Sequence, residues 1–495
     1  MELYIKKIIK DKKIISSQFL LNKEKYEQLE NQLVQPFMLC GQQIYNEQFK
    51  QMRGINKILI EKNDKHEYYF KIPTLSDNID SQNTYFWGKN VDKSQVEKEA
   101  RIKNTASDII VNKYYNKISI NMNIICDLIK ITLFENIDNE ILEACKESVK
   151  VDIDKIGSGF SSDIFKDKTQ LIDITGAFLY ISKMNLINNF ITGAPNNLFY
   201  KKLNIYKKEK LIKLLKKLIS ISDNDANNII DYFTIENNLV GEFNEYPLIN
   251  INETILWIPS SFIMNDLQFS IINGHYEKKI KINNRDSTVS QSIVDNIIDN
   301  CSKYKNIVSI YNKEYFDKIN KYKCNGKKVD LKSDIDVALY DKLSNSVLII
   351  ECKWKENVYL HGEKYVQICD AVEHIFDKQL NKHKYFLELK QDNIDFIFNS
   401  NQEVLNRPYY PNMFYIFVDK RIQIHYENIH ALSEFNLLKL FNDYSNNGIL
   451  NLDKVISYIK TLETKVDYNV PDTIYTINFE DKIINNNLFR LKNNV

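Results

Sequence analysis

The chain has 495 residues, enough for more than one core, with 66 basic against 65 acidic side chains and a formal net charge of +1. That balance excludes a global field drawing the whole molecule onto nucleic acid or a membrane surface, so any polyanion contact must come from a local patch. Seven cysteines, odd in number and without a C-x-x-C pair, exclude a disulfide scaffold or a zinc knuckle and fit a reduced, cytoplasmic protein.

Lysines at 6, 7, 10, 12 and 13 interrupt the apolar stretches near the N-terminus, unlike the core of a signal peptide. Apolar residues then recur at helical spacing over 108–115, 118–135 and 171–190, which predicts a mostly helical N-terminal domain over 1–284 that recognises a target or a partner. Gly157-Ser158-Gly159 lacks the Lys-Ser/Thr or third glycine of a phosphate-cradling loop and reads as a flexible turn. The stretch 207–221 puts Leu211, Leu214, Leu215 and Leu218 on one helical face and Lys210, Lys213, Lys216 and Lys217 around the other. With a second helix over 225–233 it offers a helix-turn-helix, against the plainer reading of a surface helix with solvated lysines. The runs 248–251 and 254–258, each near a proline, read as an edge hairpin closing this domain.

Next come a helix over 287–304 and strands over 307–311, 334–340 and 347–354. A long amphipathic helix over 362–387 carries Tyr365, Ile368, Cys369, Val372, Ile375, Phe376 and Leu380 as its apolar stripe, and 413–418 reads as a buried strand. Periodicity over 435–441 and 450–462 predicts a helical extension, 433–495, packing on this core, itself placed at 285–432.

Chemistry concentrates at the end of the run VLIIECK (347–353). As a strand it is apolar on both faces until Glu351, and alternation puts Glu351 and Lys353 on one side with Ile350, Cys352 and Trp354 on the other. A short turn joins it to SDIDVALY (333–340), so a hairpin brings Asp336 beside Glu351, within reach of one hard cation. Two carboxylates so close need a cation or a raised pKa to coexist. Lys353 is expected to orient or deprotonate a water or to neutralise transition-state charge, with burial lowering its pKa, and the Cys352 carbonyl is expected to add a ligand. The pair E-x-K also occurs at Glu277/Lys279, Glu388/Lys390, Glu463/Lys465 and Glu480/Lys482, but none of these ends such a strand. His361, His374 and His383 show no zinc spacing.

The D-x(14)-E-x-K pattern across a hairpin resembles the PD-(D/E)xK nuclease superfamily over roughly 287–418. The resemblance implies an α/β (α+β) restriction-endonuclease-like core, α-β-β-β-α-β. Catalytic residues would be Asp336, Glu351 and Lys353, with Gln367 as the helix residue that members often carry; Asp336, Glu351 and Cys352 would be the metal ligands. Some members add an acid from the helix before the first strand, where this chain offers Asp295 and Asp299; Ile335 stands where the superfamily's name has proline.

The implied function is a Mg2+-dependent endonuclease, with Mn2+ able to substitute, acting on DNA rather than RNA. A setting in antiviral defence, a homodimer and a protein partner for the N-terminal domain accompany such nucleases. The contrasting expectation is a non-catalytic nucleic-acid-binding or interaction protein that keeps the fold and uses basic helix surfaces such as 207–217.

Overall fold

The computed structural model describes residues 59–62, 67–71, 74–75, 93–114, 136–192, 204–235, 246–257, 259–263, 265–324, 326–354, 372–420, 424–426, 428–462, 466–467, 475–479 and 482–486. They fall into two compact units, one over 92–289 and one over 290–495 together with 42–91. No helix among them is long and apolar enough to cross a membrane.

In the first unit, helices Lys93–Lys113, Asn139–Ile153 and Lys168–Thr192 accompany a three-stranded antiparallel sheet. The last of these helices buries Ile174, Ala177, Phe178 and Ile181, and Phe178 packs on Phe233, Trp257 and Phe262. The predicted 248–258 hairpin is present, turning through Asn252 and Glu253 at φ 48° and 64°, the left-handed pair a two-residue hairpin needs. Its first strand, Leu248–Ile251, lies at the sheet edge, whereas Thr254–Trp257 is central because Asn204–Lys207 pairs with its other side. Ser158 and Gly159 form the expected turn, but Gly157 is held by packing: a Cβ there would lie 1.5 Å from the Thr288 carbonyl oxygen, so only glycine allows the two backbones to meet. Helix Lys208–Leu218 buries the four leucines expected, the second helix follows at Asp223–Tyr232, and Lys208 and Lys216 pair with Asp231 and Asp223. The predicted helix over 118–135 lies outside the described residues.

His275 is fully buried in this unit, its Nε2 2.9 Å from Ser162 Oγ and its Nδ1 2.7 Å from the Ile271 carbonyl. The carbonyl only accepts, so Nδ1 carries the hydrogen and the Ser162 hydroxyl donates to Nε2. Burial holds the imidazole pKa down to about 4. Because the unfolded histidine takes a proton first, near pH 6.5, stability is lost as pH falls from there to about 4 and levels off below. We expect this residue to remove about 3 kcal/mol across that window, read from urea midpoints at successive pH values; a midpoint constant over the window would refute it.

In the second unit, α1 (Gln291–Cys301) precedes β1 (Ile307–Cys324), β2 (Lys327–Asp341) and β3 (Ser346–Lys353). A turn of π-helix, Phe376–Leu380, leads into α2 (Asn381–Leu389). Then come β4 (Asn412–Asp419), β5 (Ile424–Tyr426), β6 (Ile429–Ser433), α3 (Glu434–Asp443) and α4 (Leu452–Lys460). The sheet order is β5-β6-β4-β3-β2-β1. β1, β2 and β3 form an antiparallel meander, whereas β4 runs parallel to β3 and to β6. Parallel neighbours require a crossover, and the helices between β3 and β4 supply it.

β3 is buried from Ser346 to Cys352, as a central strand covered on both faces must be. Ala338, Tyr340, Val347, Ile349 and Phe417 pack with Val372, Ile375, Phe376, Leu380, Phe386 and Leu387 on the crossover face. By alternation, Val337, Leu339, Leu348, Ile350 and Cys352 face the side where α1 buries Ile293, Val294 and Ile297.

Two expectations for this unit need correction. β1 and β2 extend beyond the expected 307–311 and 334–340 to take in 312–324 and 327–333, because antiparallel hydrogen bonding carries a lysine-rich pair that has little apolar alternation. Residues 433–495 are not all helix: after α4, Tyr475–Phe479 and Lys482–Asn486 form a four-stranded sheet with Glu67–Lys71 and Leu59–Lys62. Residues 59–71 therefore belong with the second unit rather than with a 1–284 domain.

Candidate active site

The β2–β3 ladder ends at Val337 opposite Ile350, and the next position places Asp336 across from Glu351. There the strands part. Instead of a backbone carbonyl, a carboxylate oxygen of Asp336 accepts the Cys352 N–H at 2.7 Å. On the other edge of β2, the register with β1 passes from Tyr311/Val337 to Lys313/Ile335 around Asn312, whose φ is 47°. Asp336 thus occupies the crotch of a forked sheet, pinned by a side-chain-to-backbone bond where a ladder bond would otherwise lie.

Lys353 folds back over this fork. Its Nζ is 2.9 Å from Glu351 Oε1 and 3.9 Å from Asp336 Oδ2. Glu351 is 1 % exposed, Asp336 8 %, and the Lys353 side chain 29 %, so the ammonium forms the solvent-facing lid of a buried acidic pair. The expected trio is brought together. Cys352 lies between them with its thiol on the opposite face, pushed well up by burial. Asp295 accepts from Gln291 Nε2 at 2.9 Å, and Gln291 Oε1 accepts from Asn312 at 2.9 Å, while Asp299 is exposed. Gln367 lies outside the described residues, as does the first part of the helix predicted over 362–387.

Three further residues join the site. His383, fully buried on α2, sets Nε2 3.2 Å from Glu351 Oε2, and Tyr315 on β1 sets its hydroxyl 2.9 Å from His383 Nδ1. Ser333 is the register partner of Tyr315 across the β1–β2 ladder. A carboxylate only accepts, so Nε2 carries a hydrogen in either charge state of the ring; in the neutral ring Nδ1 accepts the Tyr315 O–H. Phe386 stacks on Tyr315 with centroids 4.0 Å apart and fixes the ring. Spacing for a zinc site did not reveal His383; its place in the apolar stripe of α2, between Leu380 and Phe386, is the signal that a polar ring faces the sheet.

The electrostatics follow from this packing. Burial, then the charge of Glu351, push the Asp336 carboxyl well above the ordinary aspartate range. Burial acts the same way on Glu351, but the His383 hydrogen bond and the Lys353 charge outweigh it and hold that carboxyl below its usual value. For Lys353, burial would lower the ammonium, as expected from the sequence, yet Glu351 and Asp336 overcome it and the pKa is raised. Lys353 is therefore a firm cation beside two acids, not a ready base.

The donors suit a hard divalent ion. Two carboxylates converge against one ammonium, and no protein hydrogen bond reaches the second oxygen of Asp336 among the described residues. No group of three His, Cys, Asp or Glu side chains placed to hold a metal occurs among the described residues, so waters or substrate oxygens would complete the shell. No protein-family profile, no curated protein and no solved structure matches this chain.

Proposed function

We propose that Asp336, Glu351 and Lys353 form the site of a Mg2+-dependent phosphodiesterase that cuts nucleic acid, DNA before RNA. The observation that carries this reading is the convergence of two buried carboxylates and an ammonium at the fork between β2 and β3. The order of elements, helix, three antiparallel strands, helices, then a strand parallel to the third, supports a restriction-endonuclease-like core. Asp336 and Glu351 hold the ion, with the Cys352 carbonyl as a further oxygen donor. When bound, the ion supplies Lewis acidity toward a phosphate oxygen and a water.

Lys353 stays protonated and offsets the negative charge that gathers on the phosphate as the bond to the leaving oxygen stretches. His383 and Tyr315 keep the Glu351 carboxylate ionised and fixed in orientation, the support an outer shell gives a ligand. A role in defence against foreign DNA rests on the resemblance alone, and a cytoplasmic setting on the cysteine usage.

The test is incubation of supercoiled plasmid with the full chain in Mg2+, in Mn2+ and in EDTA. Relaxed or linear product in the metal lanes only is the expected result. Intact plasmid in every lane, with retention in a gel-shift assay, would favour a non-catalytic binding protein instead.

A further inference from the structure

β2 pairs with β3 only over residues 337–341, so residues 327–335 are paired to β1 alone. Together the two strands make a ribbon that leaves the sheet beside the end of β3 where Glu351 and Lys353 sit. One face is anchored: Tyr315 and Leu331 are buried, and the Tyr322 hydroxyl donates to the Asp377 carbonyl. The other face is open, and Lys318, Lys323, Lys327, Lys328 and Lys332 are exposed on the ribbon.

Charge is concentrated there. Residues 316–332 hold six lysines against two aspartates, while the whole chain nets +1. Only Lys321 is drawn into an ion pair, with Asp330, among the described residues of this segment. A register shift between Asp317 and Lys321 lifts residues 318–320 out of the ladder, and Asp317 holds that bulge by accepting the N–H groups of Ile319 and Asn320. Ile319 is left 84 % exposed beside Phe316 at 51 %. A major groove walled by phosphates accepts both kinds of side chain, the lysines on phosphate oxygens and the apolar groups against thymine methyls.

We infer that this ribbon docks duplex DNA, lying in the major groove with its lysines on the flanking phosphates. A two-stranded ribbon fits the major groove, which is about 12 Å wide. The ribbon's charge also draws phosphates toward an acidic fork that would otherwise repel them. The proposal rests on the phosphodiesterase reading only for the consequence of docking, which is delivery of a strand to Asp336, Glu351 and Lys353.

The experiment measures binding of a labelled duplex to the full chain in EDTA across a salt series, for the wild type and for a variant carrying Lys318→Ala, Lys323→Ala, Lys327→Ala and Lys328→Ala. The slope of log affinity against log salt is expected to shrink by about 3 to 4 and affinity at low salt to fall at least about tenfold. Lys328→Gln alone, which removes one exposed charge, is expected to shrink the slope by about 1 and keeps the test open if the multiple variant misfolds. An unchanged slope in both variants overturns the proposal, as does preferential, lysine-dependent binding of single-stranded RNA. Cleavage by a wild type whose binding ignores these lysines sinks the ribbon and leaves the phosphodiesterase; lysine-dependent binding without any cleavage does the reverse.

Discussion

Replacing Lys353 by methionine is expected to lower Mg2+-dependent cleavage by about a thousandfold, the scale of removing one preorganised charge from a phosphoryl or acyl transfer site. Methionine keeps the apolar stem over the fork, so the change isolates the ammonium. The same substitution leaves Asp336 and Glu351 facing each other without a cation 2.9 Å from Glu351. Mg2+ should then bind at least as tightly while turnover collapses, a split between affinity and rate that misfolding does not produce. Single-turnover cleavage of a labelled duplex, beside Mg2+ titration by calorimetry, reads both; a rate within tenfold of wild type would remove Lys353 from the chemistry.

His383→Phe is expected to weaken Mg2+ binding by about 10- to 100-fold, the usual cost of losing a group that orients a metal ligand. With the His383 hydrogen bond gone, Lys353 alone opposes burial at Glu351 and its pKa moves up. The sign follows directly. In the wild type Glu351 is held ionised to low pH, so acidification weakens Mg2+ binding mainly through the raised Asp336; in the variant Glu351 also takes up a proton, and affinity falls away at a higher pH. His383→Gln, which retains an N–H donor, should recover part of the affinity, and Tyr315→Phe should lose less than His383→Phe. Identical pH profiles for wild type and His383→Phe would show that the histidine merely fills space.

How the chemistry was reachable from residues alone is clearest at β3. An uninterrupted apolar run followed by an acid and a lysine two apart forces a buried strand with both charges on one face, because side chains alternate. The matching SDID run, one short turn upstream, brings Asp336 opposite Glu351 by register. By contrast, the 312–333 stretch carries little periodicity and its strands exist only because each supplies the other's hydrogen bonds, so no local pattern announced the ribbon. His383 escaped for a related reason, since its partners Tyr315 and Glu351 lie 68 and 32 residues away in the chain.

By itself, then, the amino-acid order determined the helical character of 171–190, the central strand of the sheet and the Asp336, Glu351 and Lys353 trio, all consequences of periodicity and short-range pairing. Tertiary structure alone decided three things: the forked ladder that pins Asp336 to the Cys352 N–H, the Tyr315–His383 support of Glu351, and the upward shift of the Lys353 ammonium. The physical reason is common to all three. Burial and charge proximity depend on which distant segments meet, and a pKa responds to that sum rather than to the residue's neighbours in sequence.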